Sequence, residues 1–286
     1  MTFWLIQSMN SLAMGGVLFM LAAGFSLIFG LMRVANLSHG AYFMLGAYIG
    51  LHMLDHGFGF ATAAITAAVG VGLLGAVVER VILRRLGGNT LSQVLATLGV
   101  AFVIADGSLW MWGGDPRSVS GPDWLGGGIQ LFGLTFPKYR VAVVVFSIAV
   151  ALSLWLLLEK TRLGMMIRAS VDDRQMAQGI GVPASRLFTI VFCLGTALAG
   201  LGGVIAAPIL SVYPGLDADM LPLALVVVIL GGLGSLAGAF VGSFLVGFIY
   251  SFGQVLFPDL AYMILFLPMV VILAARPRGL FGRITA

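Results

Sequence analysis

The three histidines, His39, His52 and His56, and the lone Cys193 are the residues best suited to ligating a metal or attacking a substrate. They are scattered rather than clustered at metal-ligand spacing, and no convincing nucleophile triad can be assembled around them. No GxxxxGK[ST] phosphate loop is present. No catalytic residue, metal or cofactor is therefore expected, and any energised work must draw its energy from another chain. Cys193 excludes an internal disulfide and reads as a small packed side chain. The groups that stand out belong to the backbone. Ala35-Asn36-Leu37-Ser38-His39-Gly40 and Gly231-Gly232-Leu233-Gly234-Ser235 interrupt otherwise apolar runs. Inside a membrane, freed N–H and C=O groups are tolerable only when buried in protein or facing a wet cavity. Broken helices at matched positions in two halves point to a transport site. Asn36, Ser38, His39 and Gly40, with Gly231, Gly232, Gly234 and Ser235, are thus candidates for a translocation pathway. The alternative at each is a tight turn between packed helices, and His39 alone also suits a packed histidine with a backbone partner. Asp106 is the one acid inside an expected span, which makes it a candidate by default. Its alternative is a place near the outer surface, since Trp110 and Trp112 follow within two turns.

The elements that must position these groups are membrane helices. The chain is 60% hydrophobic and 9% charged, whereas soluble domains carry about 25% charged residues. Forty glycines suit helices that pack closely in lipid. The apolar runs do not alternate as the strands of a lipid barrel would. The N-terminus shows no charged n-region or cleavage site, so no cleaved signal peptide is expected. The excess of Lys and Arg needs no nucleic acid, because these residues gather on the cytoplasmic side of membrane proteins.

Charges are so sparse that they mark the membrane surfaces. Uncharged runs fill 1–32, 34–54, 56–78, 86–105, 141–158, 187–216, 220–258 and 260–275. The run 220–258 is too long for one span and suits two, or a re-entrant pair. With the cluster Arg80, Arg84 and Arg85 placed in the cytoplasm, twelve of the fifteen Lys and Arg fall inside. Only Arg117, Lys138 and Arg140 fall outside, together with the acids Asp55, Asp115, Asp123, Asp217, Asp219 and Asp259. The expected fold is an all-α polytopic bundle of about 8–9 transmembrane helices with two broken or re-entrant regions. It forms one domain over residues 1–286. A faint repeat relates Gly40-Ala41-Tyr42 to Gly238-Ala239-Phe240.

The longest polar interruption is TRLGMMIRASVDDRQMAQGIGVP, Thr161 to Pro183. Ser170 with Asp173 reads as a capping box that starts a short helix, with Gly179, Gly181 and Pro183 as stops. The segment, about 160–186, is either a solvated loop or a docking helix for another protein.

These blocks resemble the permeases of branched-chain amino acid ABC transporters. RVANLSHGAYFMLGAYIG is similar to that family's N-terminal signature, LGMMIRASVDDRQMAQGIGV to its cytoplasmic coupling segment, and LGGLGSLAGAFVG and RPRGLFG to later blocks. The order is the family's, and the chain resembles the smaller membrane subunit. The resemblance implies an importer in the bacterial inner membrane. A periplasmic binding protein would deliver a small-molecule substrate to this chain and a second homologous permease subunit. Two cytoplasmic ATP-binding subunits would drive it. The implied coupling residues are Gly164, Arg168, Ala169, Asp173, Ala177, Gly179 and Gly181. Where the family often has an aromatic, this chain has Leu37. Relatives in the same superfamily carry urea, short amides or aromatic acids, so the resemblance fixes the machine more closely than the substrate. The alternative reading is a secondary transporter or passive channel for a small polar solute such as urea, which would also use broken helices. A non-transporting scaffold would explain neither break. The charge split makes one direct prediction. In a background lacking Cys193, a cysteine at Gln175 is labelled only from the cytoplasm; its labelling by an impermeant thiol reagent in intact cells would invert the topology.

Overall fold

A computed structural model describes residues 2–33, 35–87, 89–131, 134–276 and 279–281. Arg278, Gly282 and Arg283 of the terminal block lie outside the described residues. The chain forms α1 (Thr2–Met32), α2 (His39–Asp55), α3 (Phe60–Val81) and α4 (Thr90–Trp112), then a hairpin of β1 (Gly128–Leu131) and β2 (Leu134–Pro137). There follow α5 (Lys138–Lys160), α6 (Arg162–Asp172), α7 (Arg174–Gly179), α8 (Ala184–Leu210), α9 (Leu216–Gly231), α10 (Leu236–Leu256) and α11 (Ala261–Ala275). It is an all-α membrane protein whose small hairpin sits in the polar connection after α4. Among the described residues, six helices are long and apolar enough to cross a membrane: α1, α3 with its 3₁₀ extension to Leu86, α4, α5, α8 and α10. Helices α2, α9 and α11 are shorter, at 17, 16 and 15 residues.

Two helices make the centre. α1 and α8 are the most enclosed of the six, and they cross where two glycines meet. A Cβ on Gly24 would collide with the Gly195 carbonyl oxygen, and one on Gly195 would lie 2.7 Å from that of Gly24. Only hydrogen at both Cα atoms permits this approach. Each central helix then carries an antiparallel neighbour. Gly15 of α1 packs on Phe244 and Gly247 of α10, while Gly72 and Gly75 of α3 pack on Cys193, Thr196 and Ala197 of α8.

This arrangement is an inverted repeat. α1–α4 and α8–α11 run in opposite directions through the bundle, and α1 relates to α8 as α2 does to α9. Backbone geometry marks the same correspondence. Among the described residues the two non-glycine positions with positive φ are Arg33 (55°) and Ser211 (66°), and each directly follows the first helix of its half. The counterpart of the first break is therefore Ser211–Gly215. The sequence repeat between Gly40–Tyr42 and Gly238–Phe240 is out of phase: Gly40 opens α2, whereas Gly238 lies in the first turn of α10. Each triplet simply follows a break and allows close packing.

The basic residues Arg33, Arg80, Arg84, Arg85, Arg162, Arg168 and Arg186 share one end of this bundle, and Arg117, Lys138 and Arg140 the other. At the basic end, Glu79 is buried and accepts hydrogen bonds from Arg84 (3.2 Å) and Thr189 (2.7 Å), tying α3 to α8. At the opposite end Arg117 pairs with Asp55 at 3.0 Å, and its backbone bridges to Val212. The crossing predicts a contrast between two glycines. Gly24→Ala destabilises the protein by at least about 2 kcal/mol through overpacking. Gly99→Ala, where nothing lies within 4 Å of the added carbon, does not. Thermal unfolding in detergent measures both; equal melting temperatures would contradict the crossing.

Candidate functional site

The first break is buried at the heart of the bundle. After Arg33 the chain leaves the α1 axis and returns inward, so that α2 starts beside Leu21 rather than at the end of α1. The His39 Nε2 lies 2.9 Å from the Leu21 carbonyl oxygen. Leu21 is eleven residues from Met32, which places His39 about 16 Å deep along α1. Ser38 donates from its hydroxyl to Asn36 Oδ1 (2.6 Å), and its backbone N–H donates to the same oxygen (3.2 Å). The Leu37 N–H donates to Thr97 Oγ1 of α4 at 3.1 Å. Asn36, Ser38, His39 and Thr97 are all buried. The freed backbone is thus met by protein groups, as the membrane interior requires.

Opposite this break stands the start of α9. A Cβ on Gly40 would lie 2.5 Å from the Asp217 carbonyl oxygen and 3.0 Å from Leu221 Cβ. The N-terminal ends of α2 and α9 therefore meet at the centre, each carrying the positive end of a helix dipole. Asp217 and Asp219 supply acids in the first turn of α9, and Tyr213 donates to Asp219 at 2.6 Å. Ser211–Gly215 and Asp217 are absent from the sequence candidates because the neighbouring acids Asp217 and Asp219 read as surface markers. The available signal was Tyr213-Pro214-Gly215, a turn sequence in the middle of an apolar stretch.

Gly231, Gly232, Gly234 and Ser235 do not join this centre. Gly231 and Gly238 sit face to face, Gly232 and Gly234 adopt φ of 104° and 77°, and Ser235 caps α10 by accepting from the Gly238 N–H (3.0 Å). Gly234 lies against Gly30, about 9 Å along α1 from Gly24. The C-terminal segment completes the turn: Leu280 and Phe281 donate backbone N–H groups to the carbonyls of Leu230 (2.9 Å) and Gly231 (3.0 Å). This is the geometry of a tight turn at the basic end. Asp106 is also separate. The buried face of α4 carries Gln93, Thr97, Ala101, Ile104 and Ser108, and Asp106 points away from it, exposed.

The polar segment after α5 is two helices rather than one. Thr161 caps α6 by accepting from the Gly164 N–H (3.1 Å), so the helix is capped nine residues before the expected cap at Ser170. The Ser170–Asp173 capping box does not form. Ser170 is buried within α6, and Asp173 instead caps α7 by accepting from the Met176 N–H at 2.9 Å. Packing explains the difference: Ile167 of α6 is buried against Leu31 of α1 and Leu187, Phe188 and Val191 of α8. Gly164 passes against the Leu158 carbonyl, where any side chain would collide. Arg168 pairs with Glu159 at 3.2 Å and also donates to the Leu158 carbonyl. Ala169 is half-buried and accepts, through its carbonyl, the Asp173 N–H. Ala177 is 2% exposed; the exposed apolar residues beside it are Met176 at 66% and Ile180 at 74%. Gly179 ends α7, and Gly181 turns the chain with φ 91°.

The family model described as branched-chain amino acid transport system / permease component matches residues 8–273. The chain belongs to this family. It is an ABC-type permease component, a transport subunit and not itself an enzyme. The high-affinity branched-chain amino acid transport system permease protein BraD of Pseudomonas aeruginosa is 27% identical over 297 residues, covering 98% of this chain and 96% of that protein. LivH of Escherichia coli, a permease protein of the same description, is 23% identical over 300 residues with the same coverage. More distant in coverage is the fructose import permease protein FruF of Bifidobacterium longum, 28% identical over 245 residues, 80% of this chain and 65% of that one. Among solved structures, PsaBC from Streptococcus pneumoniae in complex with Fab shares the fold, with a TM-score of 0.52 over 92% of this chain and 87% of that one at 18% identity.

Proposed function

We propose that this permease component forms one half of the passage for branched-chain or other hydrophobic amino acids in an importer of the bacterial inner membrane. The supporting observation is the meeting of the α2 and α9 N-termini at the centre of an inverted repeat within this family's fold. Nine helices pass through the bilayer, and α2 and α9 do so as the helical halves of discontinuous spans, each running from the centre to the surface opposite the one its chain entered. Residues 33–38 enter from the cytoplasmic end and 211–215 from the periplasmic end. Asn36, Ser38, His39 and Gly40 line the passage near its middle, and Gly231–Ser235 form its cytoplasmic floor. Two helix N-termini in a buried site favour an anionic group, and Asp217 and Asp219 in the first turn of α9 favour a cationic one; a zwitterionic amino acid supplies both, as its carboxylate and its ammonium. Residues 1–286 act as one transmembrane domain.

The basic end faces the cytoplasm by the positive-inside rule. There α6 and α7 are the coupling element for one of two ATP-binding subunits. A second permease subunit completes the passage, and a periplasmic binding protein docks at the Arg117 end. Met176 and Ile180 are the residues that enter the ATP-binding subunit; Gly164, Arg168, Ala169, Asp173, Ala177, Gly179 and Gly181 shape the element that presents them. Force applied to α7 passes through α6 to Leu31 and Leu187, and so to both central helices.

The test separates the exposed residues from the buried one. Met176→Asp and Ile180→Asp place a charge that must be desolvated on docking, a cost of several kcal/mol when unpaired. Each is expected to lower co-purification of the ATP-binding subunit at least tenfold, or to abolish substrate-stimulated hydrolysis in proteoliposomes. Gln175→Glu serves as the tolerated control. Normal co-purification and hydrolysis in both variants would remove α7 from the interface.

A further inference from the structure

We infer that the cleft between α1, α5, α6 and α10 at the basic end is a binding site for a single zwitterionic phospholipid of the inner leaflet, held against the coupling element. The cleft encloses about 800 Å³. Its deep wall is apolar, built from Leu27, Ala151, Trp155, Leu236, Phe240 and Val241. Its mouth is charged, with Arg33, Glu159, Arg168 and Asp172. The boundary between the two lies at the membrane surface. Trp155 is half exposed, and the Lys160 ammonium sits 5.9 Å from its ring centroid, a pairing suited to the interface. An apolar cavity opening at that level is in contact with acyl chains and fills with them.

The charges select the headgroup. Glu159 and Arg168 neutralise one another at 3.2 Å. Lys160 lies over the Trp155 ring and does not line the cleft. Of the charges that do, this leaves Arg33, whose guanidinium donates to the Val171 carbonyl (3.3 Å), and the exposed Asp172 one residue further on. A guanidinium beside a carboxylate matches a phosphate beside a primary ammonium, as in phosphatidylethanolamine. Deeper in the cleft, Ser26 is 2% exposed and its hydroxyl has no hydrogen-bond partner. It lies seven residues before Arg33, about 10 Å along α1, where glycerol ester carbonyls would accept its proton. The same lipid would touch Ile167 and Val171 of α6, so it would brace the coupling element against α1.

The assembled transporter, extracted from membranes in mild detergent, tests this by native mass spectrometry. One phospholipid per copy of this chain is expected to survive, with phosphatidylethanolamine retained over phosphatidylglycerol. Ala237→Trp, which fills the cleft mouth, should remove it. Arg33→Gln should lower retention at least fivefold. Val145→Trp, on the exposed face of α5 away from the cleft, should leave it unchanged. A photoreactive residue at Trp155 should cross-link to lipid. Equal lipid retention in wild type and Ala237→Trp would overturn the site. So would a cross-link from position 155 to a protein subunit. Preferential retention of phosphatidylglycerol would overturn the headgroup assignment.

Discussion

The approach of Gly24 to Gly195 sets the geometry of everything around it. In a bilayer, helices gain little from excluding water and associate through close packing and satisfied polar groups. The absence of two side chains lets α1 and α8 cross backbone to backbone. That crossing leaves room at its flanks for the inner ends of α2 and α9, and the Gly24 position lies against the His39 ring as well as Gly195. A side chain there would move the central helices apart and, with them, the breaks that they support.

The breaks solve a second problem by the same means. Each half of the repeat must return its chain from a membrane surface to the middle without stranding backbone polar groups. The first half uses Arg33 in a left-handed conformation, then Asn36, Ser38 and Thr97 as local partners. The second uses Ser211, also at positive φ, and a bridge between Val212 and Arg117. Both returns end at a helix N-terminus near the centre. The segment α6–α7 meets the two central helices through Ile167, packed on Leu31 and Leu187, and through the Arg33 guanidinium, which donates to the Val171 carbonyl.

Much of this was legible in the residues. Sparse charges placed the helix ends well, because a charge in the hydrocarbon is costly and chains avoid it. The first break was visible because Asn36, Ser38 and His39 are polar inside an apolar run. The second was misplaced. Gly231–Ser235 has the composition of a break but serves as a turn, whereas Ser211–Gly215 is the true counterpart. Its distinguishing feature is a backbone angle at Ser211, which no side chain announces. The polar segment Thr161–Pro183 is helical as expected but is divided differently. Ser170 and Asp173 satisfy a capping pattern locally, yet burial of Ile167 holds α6 together through Ser170 and moves the cap to α7. Ala177 looked like a small surface residue, and only the fold of α6 and α7 against one another shows that it is interior. Asp106 illustrates the same limit, since the buried stripe of α4 falls on the other side of the helix.

We propose that this chain is a passage without an engine, whose broken helices conduct only when ATP-binding subunits move them. Reconstitution into proteoliposomes with radiolabelled leucine tests this directly. The complete assembly, with binding protein and ATP, is predicted to accumulate leucine, and the chain alone is predicted to show neither accumulation nor counterflow. Leucine flux through the chain alone, independent of ATP, would contradict the account and favour a secondary transporter or channel.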